Sequence, residues 1–262
     1  MYSNENSTGR PLADAKWLED HHIAKIPERV AFAKKLSILQ PKSLVDLGCA
    51  TGLWLDLLDK VLPEYCEFIG IDSDYESLKI AKSKSKKWSR KASFIKMDIE
   101  QDAKKIPACD LTLAFNIFPY IKNLDIFIET LSSRSPKGTL IVRQYDGASI
   151  RFGPMPTHQR QEIETSLRVG MESSQKFHHY DMDRVYSALK NSYYKEIELG
   201  FELFARNSPF PDEFIPYYTG TLNWTMQHIS DNAASYLNRW MKEDASLLNR
   251  YFFEVDLIAL LS

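Results

Sequence analysis

Short apolar runs alternate with helical periodicity through the first half of the chain. Ser43–Leu47 (SLVDL), Glu67–Asp72 (EFIGID), Ser93–Met97, Asp110–Phe115 (DLTLAF) and Thr139–Arg143 read as strands. Between them, Leu53, Leu57, Leu58 and Val61 share one helical face, as do Leu124, Phe127, Ile128 and Leu131. Pro63 ends the first of these helices, and Ser73 with Glu76 three residues on reads as a capping box opening another. Upstream, residues 12–39 are helical in two pieces divided near Pro27, with Phe32, Leu36 and Leu39 on one face. Strand and helix in strict alternation over residues 39–143 predict a parallel, doubly wound α/β sheet.

After Arg143 the rhythm changes. Residues 144–192 are polar and aromatic, with one helix expected near Asp181–Leu189. Tyr194–Phe204 and Tyr251–Leu261 read as two further strands, and 207–250, rich in Pro, Tyr and Trp, is expected to be helical over 231–249. These strands should close the same sheet, which makes residues 1–262 a single domain. Its expected parts are N-terminal helices at 1–39, a core at 40–145, closing strands at 194–204 and 251–261, and helical lid insertions at 146–192 and 207–250.

Composition narrows the partners. Thirty-three basic side chains against 35 acidic leave a formal charge of −2, without the basic surplus that a nucleic-acid backbone demands. The stretch SKSKKWSRK at 83–91 reads as a solvated helix end. Cys49, Cys66 and Cys109 have neither disulfide-framework nor zinc spacing, so buried reduced thiols and no bound metal are expected. The N-terminus lacks the basic and apolar regions of a signal peptide, and no apolar run approaches the roughly 20 residues that cross a bilayer. A cytoplasmic protein without membrane contact is the expectation.

The chemistry concentrates where the first strand turns into its helix, Asp46-Leu47-Gly48-Cys49-Ala50-Thr51-Gly52. Gly48 and Gly52 let the backbone turn tightly and approach a ligand, and the helix beginning at Gly52 aims free amides at the same spot. Asp72 ends the second strand, where doubly wound sheets place an acid against ribose hydroxyls. A ribose-bearing cofactor across the ends of strands one and two follows from these residues.

The spacing is not the GxGxxG of dinucleotide folds. Asp46-x-Gly48-x-Ala50-x-Gly52 resembles motif I of the class I S-adenosylmethionine-dependent methyltransferases, with Ala50 in place of the middle glycine. The resemblance covers about residues 40–145 and implies S-adenosyl-L-methionine as cofactor, with strand order 3-2-1-4-5-7-6 and strand seven antiparallel. By it, Asp46, Gly48, Cys49 and Gly52 form the cofactor turn, Asp72 with Ser73 meets the ribose, and Asp98 with Ile99 lies near adenine. Asn116 falls at the position between cofactor and substrate.

On the acceptor side the candidates are Tyr120, Arg151 and Trp224 for substrate binding, with Tyr145 and His179 for catalysis. A neutral imidazole suits proton removal near pH 7, and His21, His22, His158 and His178 are the other imidazoles considered. Phe210, Phe214, Tyr217, Tyr218 and Trp224 would make an apolar lid, so a small-molecule acceptor is expected. An RNA or protein acceptor and a non-catalytic cofactor-binding member are the alternatives. The acceptor atom and the choice between monomer and homodimer stay open.

Overall fold

The computed structural model describes residues 13–173, 182–243 and 248–262. Its strands are β1 (Ser43–Leu47), β2 (Glu67–Asp72), β3 (Ala92–Lys96), β4 (Leu111–Phe115), β5 (Thr139–Gly153), β6 (Glu196–Asn207) and β7 (Tyr251–Leu261). They form one sheet in the order β3-β2-β1-β4-β5-β7-β6. Pairing is parallel from β3 through β5, and β7 runs antiparallel to both β5 and β6. The anticipated topology is therefore the observed one.

Strand residues alternate between two cores because successive side chains point to opposite faces. Leu111, Leu113 and Phe115 of β4 face α2 (Ile26–Ser37), α3 (Leu53–Asp59) and α4 (Tyr75–Ser85). Val45, Ala114, Leu140 and Val142 face the other way, onto α5 (Leu124–Arg134) and α7 (Met182–Lys190). With helices on both sides, the inner strands are buried almost throughout, which is why they read as continuous apolar runs.

A third core holds the rest: α6 (Thr157–Ser173), α8 (Ile215–Met226) and α9 (Asp231–Glu243) pack around Ile150, Phe152, Phe204 and Phe252 from the far ends of β5, β6 and β7. From the chain's start, α1 (Ala15–Ala24) lies against α8.

Four expectations need correction. The fifth strand does not stop at Arg143 but continues to Gly153, crossing a register shift between Tyr145 and Ile150, because β7 is long enough to pair with both halves. Helices α6 and α8 were not foreseen; Pro216 in the first turn of α8 is where a proline fits a helix. Helix α4 is capped by Asp74, whose carboxylate accepts from the amides of Glu76 and Ser77, rather than by Ser73. Finally, Met182, Val185, Ala188 and Leu189 of α7 bury against α5 and the sheet, so this part of 146–192 is sheet cover rather than lid.

Candidate functional site

The turn after β1 is fastened to β2. Gly48 and Cys49 both donate their backbone N–H to the carbonyl of Ile71, at 2.8 and 2.9 Å, and Gly52 N–H closes the turn on Cys49 O at 2.8 Å. Gly48 (φ +70°) and Gly52 (φ +74°) are left-handed, the conformation glycine adopts freely. A Cβ on Gly48 would lie 2.6 Å from the Ile117 side chain. Ala50 is also left-handed, at φ +44°, a strain an alanine pays where the resemblance has glycine.

Asp72 holds this turn from below. One carboxylate oxygen accepts the Ala50 N–H and the other the Asp74 N–H, each at 2.8 Å. Burial pushes its pKa up, against those two amide bonds that favour the charge. Asp46, buried beneath the turn, is pushed up to about 8 by burial and by the neighbouring Asp72 charge, so it is largely a neutral carboxyl at pH 7. Burial first, and then the nearby Asp46 and Asp72 side chains, push the Cys49 thiol up, which favours its neutral form.

A cavity of about 280 Å³ opens above these residues and runs to α1 and α8. Asp46, Gly48, Cys49, Asp72, Ser73, Asp98, Ile99, Asn116, Tyr120, Tyr145 and Trp224, all named from the sequence, line it. Asp98 sits in a turn of its own making, accepting from the amides of Glu100 (3.0 Å) and Gln101 (3.3 Å). Asn116, left-handed at φ +55°, accepts the Tyr145 N–H on its side-chain oxygen at 2.9 Å and so ties the end of β4 to β5.

Two candidates stay outside the lining. Gly52 supports the turn from behind, where a Cβ would press on Ala81 at 3.1 Å. Arg151 is ion-paired to Glu164 and lies over the Phe253 ring, because the lengthened β5 carries it past the bulge and away from the cavity. His179 and its neighbour His178 lie outside the described residues. Of the expected lid aromatics, Tyr217 and Trp224 reach the cavity, whereas Phe210, Phe214 and Tyr218 pack in the third core.

Other lining residues were not assigned to the site from sequence: Trp17 and Leu18 of α1, Arg29 of α2, Trp54 of α3, Gln144 of β5 and Thr221 of α8. His21, considered earlier as a base, also lines the cavity, but burial and the nearby cations Lys25 and Arg29 lower its pKa well below the usual range. His22 is held at about 3 by burial and Arg29. Neither imidazole takes a proton readily at neutral pH.

Under this end of the cavity lies a buried ionic network. Lys25, in the turn between α1 and α2, pairs with Glu254 and, at 3.5 Å, with Asp256. Arg143 pairs with Asp256 at 2.8 Å and with Glu202, and the Tyr217 hydroxyl donates to Glu254 at 2.6 Å. These contacts join the N-terminal helices, helix α8 and strands β5, β6 and β7.

The site therefore has a pole of backbone turns and carboxylates at β1–β3 and an aromatic pole under α1 and α8. The first fits a ribose-bearing group: a carboxylate at the end of β2, an acid beyond β3 and the glycine turn after β1. A family model described as a methyltransferase domain matches residues 18–202, more than half of the chain. A carboxy-S-adenosyl-L-methionine synthase from Campylobacter hominis is 30% identical over 109 residues, 41% of this chain and 46% of that protein, so the chain matches about half of the relative's length.

Solved structures agree in fold. A Bacillus halodurans protein described as a candidate methyltransferase superposes with a TM-score of 0.54 at 10% identity, covering 88% of this chain and 97% of that one. The mycolic acid cyclopropane synthase solved with SAH and CTAB gives 0.54 at 13% identity, covering 90% and 84%. A cyclopropane synthase from Mycobacterium tuberculosis gives 0.52 at 12%, again covering 90% and 84%. The chain belongs to the methyltransferase-domain family and has the fold of the S-adenosylmethionine-dependent class I enzymes.

Proposed function

We propose that this methyltransferase methylates a small, largely apolar molecule bound between the β1 turn and the lid formed by α1 and α8. The observation that carries the reading is the single cavity joining the two poles, close in size to the lower end of small-molecule sites. S-adenosylmethionine, when bound, supplies an electrophilic methyl on a sulfonium, and displacement by the acceptor leaves a neutral thioether.

The chain's own residues do the placing. Asp72 would accept the ribose hydroxyls beside its two amide bonds, Asp98 and Ile99 would border the adenine, and the Gly48–Ala50 backbone would run along the donor. Asn116, braced on Tyr145, fixes the wall between donor and acceptor, so that Tyr145, Tyr120 and Trp224 meet the acceptor in a set orientation. Where the acceptor is a hydroxyl or an ammonium, His179 is the residue proposed to take its proton. The net charge of −2 and the aromatic lid support a small molecule over a nucleic acid. Among the described residues no helix is long and apolar enough to cross a membrane. Three free, buried cysteines favour the cytoplasm.

The test is mass spectrometry of small-molecule panels incubated with enzyme and S-adenosylmethionine. A mass gain of one methyl on an apolar or aromatic acceptor, lost in Trp224→Ala, is expected. Methylation confined to RNA or protein would overturn the reading.

A further inference from the structure

The arginines buried among the described residues share one habit, with one exception. Arg90 binds the Asp59 carboxylate and the carbonyls of Asp59, Leu62 and Pro63. Arg143 binds Asp256 and Glu202, and Arg250 binds the carbonyls of Trp240 and Met241. Arg29, 7% exposed, reaches no oxygen of the described residues. Its guanidinium donates to Nδ1 of His22 and, at 3.4 Å, to Nδ1 of His21, and it lies over the Trp54 ring at 5.0 Å.

Among the described residues no carboxylate is in contact with that cation. Glu254 and Asp256 attract it only through space, because Lys25, Tyr217 and Arg143 already occupy their oxygens. Arg143 repels it, and both imidazoles stay neutral. A buried charge without an opposite partner is costly, and a guanidinium cannot relieve the cost by losing its proton near neutral pH. Arg29 also lines the cavity, together with His21, whose Nε2 has no hydrogen-bond partner among the described residues. Accepting from Arg29 on Nδ1 puts the imidazole hydrogen of His21 on Nε2, a second donor at the same wall.

Resting on the reading of this cavity as the donor and acceptor site, we propose that Arg29, with His21, is a carboxylate-binding site for the ligand. A planar fork of N–H donors matches a carboxylate in two-point contact. Two ligands could bring that group: the amino-acid end of the donor, or an acidic acceptor.

Calorimetry separates them. S-adenosylhomocysteine and its decarboxylated analogue are titrated into wild type, Arg29→Met and Arg29→Lys, and benzoate is titrated with and without S-adenosylhomocysteine. If the donor's carboxylate is bound, wild type prefers S-adenosylhomocysteine to the analogue by about ten- to hundredfold. Arg29→Met abolishes that preference and Arg29→Lys keeps part of it. If the acceptor's carboxylate is bound, both nucleosides bind alike, and benzoate binds wild type at least tenfold better than Arg29→Met. Equal binding of the two nucleosides to wild type together with no benzoate binding to wild type overturns the site, and these wild-type arms decide this even if Arg29→Met fails to fold. Failure of S-adenosylhomocysteine to bind wild type counts against the donor reading instead, and benzoate alone then tests Arg29.

Discussion

The two poles of the cavity are built by opposite means. At the donor pole, β1, its turn and β2 are close in sequence, and the polar work falls to backbone: amides on Asp72, amides on the Ile71 carbonyl, glycines at positive φ. At the acceptor pole, residues from α1, α2, β5, β7 and α8 meet across most of the chain, and the polar work falls to buried side-chain charge. A local turn can be held by its own hydrogen bonds. A wall assembled from both chain ends draws its ion pairs from segments far apart in sequence, so it depends on the whole fold.

The largest effect expected from this difference concerns the closing strands. Deleting residues 207–262 removes β7, to which both β5 and β6 are paired, along with Glu254 and Asp256. The fragment 1–206 should show no cooperative melting by circular dichroism; a soluble fragment with a sharp transition would mean that the donor half folds alone. Next in size is Asp72→Asn, which should weaken S-adenosylhomocysteine binding in calorimetry by about 1.5–3 kcal/mol, the scale of hydrogen bonds to a charged group. Unchanged affinity would remove Asp72 from the donor site.

The poles should also respond to pH with opposite signs. His22, at about 3 when folded, contributes stability in full above its ordinary 6.5 and loses it as pH falls toward 3. Chemical denaturation between pH 6.5 and 5 should show a loss of about 1–2 kcal/mol that His22→Asn largely removes. Asp46, raised to about 8, contributes in full below its ordinary 3.8 and loses that contribution as pH climbs to 8. Asp46→Asn should flatten the fall in stability between about pH 4 and 8, and an unaltered profile would contradict its neutral burial. Smallest is Ala50→Gly, which relieves the positive φ and should raise stability by about 1 kcal/mol in the same denaturation series.

This contrast also governs what the sequence reveals. Strand order, the glycine turn, Asp72 and Asp98 are legible because strand period, turn chemistry and helix start lie within a few residues of one another. Trp17, Gln144 and Thr221 carry no local sign of their role, since only the meeting of α1, β5 and α8 gives it to them. Arg29 leaves a trace: it stands three residues before Phe32 on the buried face of α2, an arginine where the period asks for an apolar residue. Arg151 misleads for the converse reason. Its distance from the end of the fifth strand suggests a loop at the ligand edge, and only the length of β7 shows that the strand runs on.

The central claim is that one cavity holds the donor at the β1–β2 turn and presents its sulfur to the aromatic pole. A crystal structure with S-adenosylhomocysteine bound tests it most directly. The account predicts ribose hydroxyls within hydrogen-bond distance of Asp72, adenine beside Asp98 and Ile99, and the sulfur facing Tyr145 and Trp224. A nucleoside bound away from Asp72, or one whose sulfur faces bulk solvent instead of the space under α1 and α8, would contradict it.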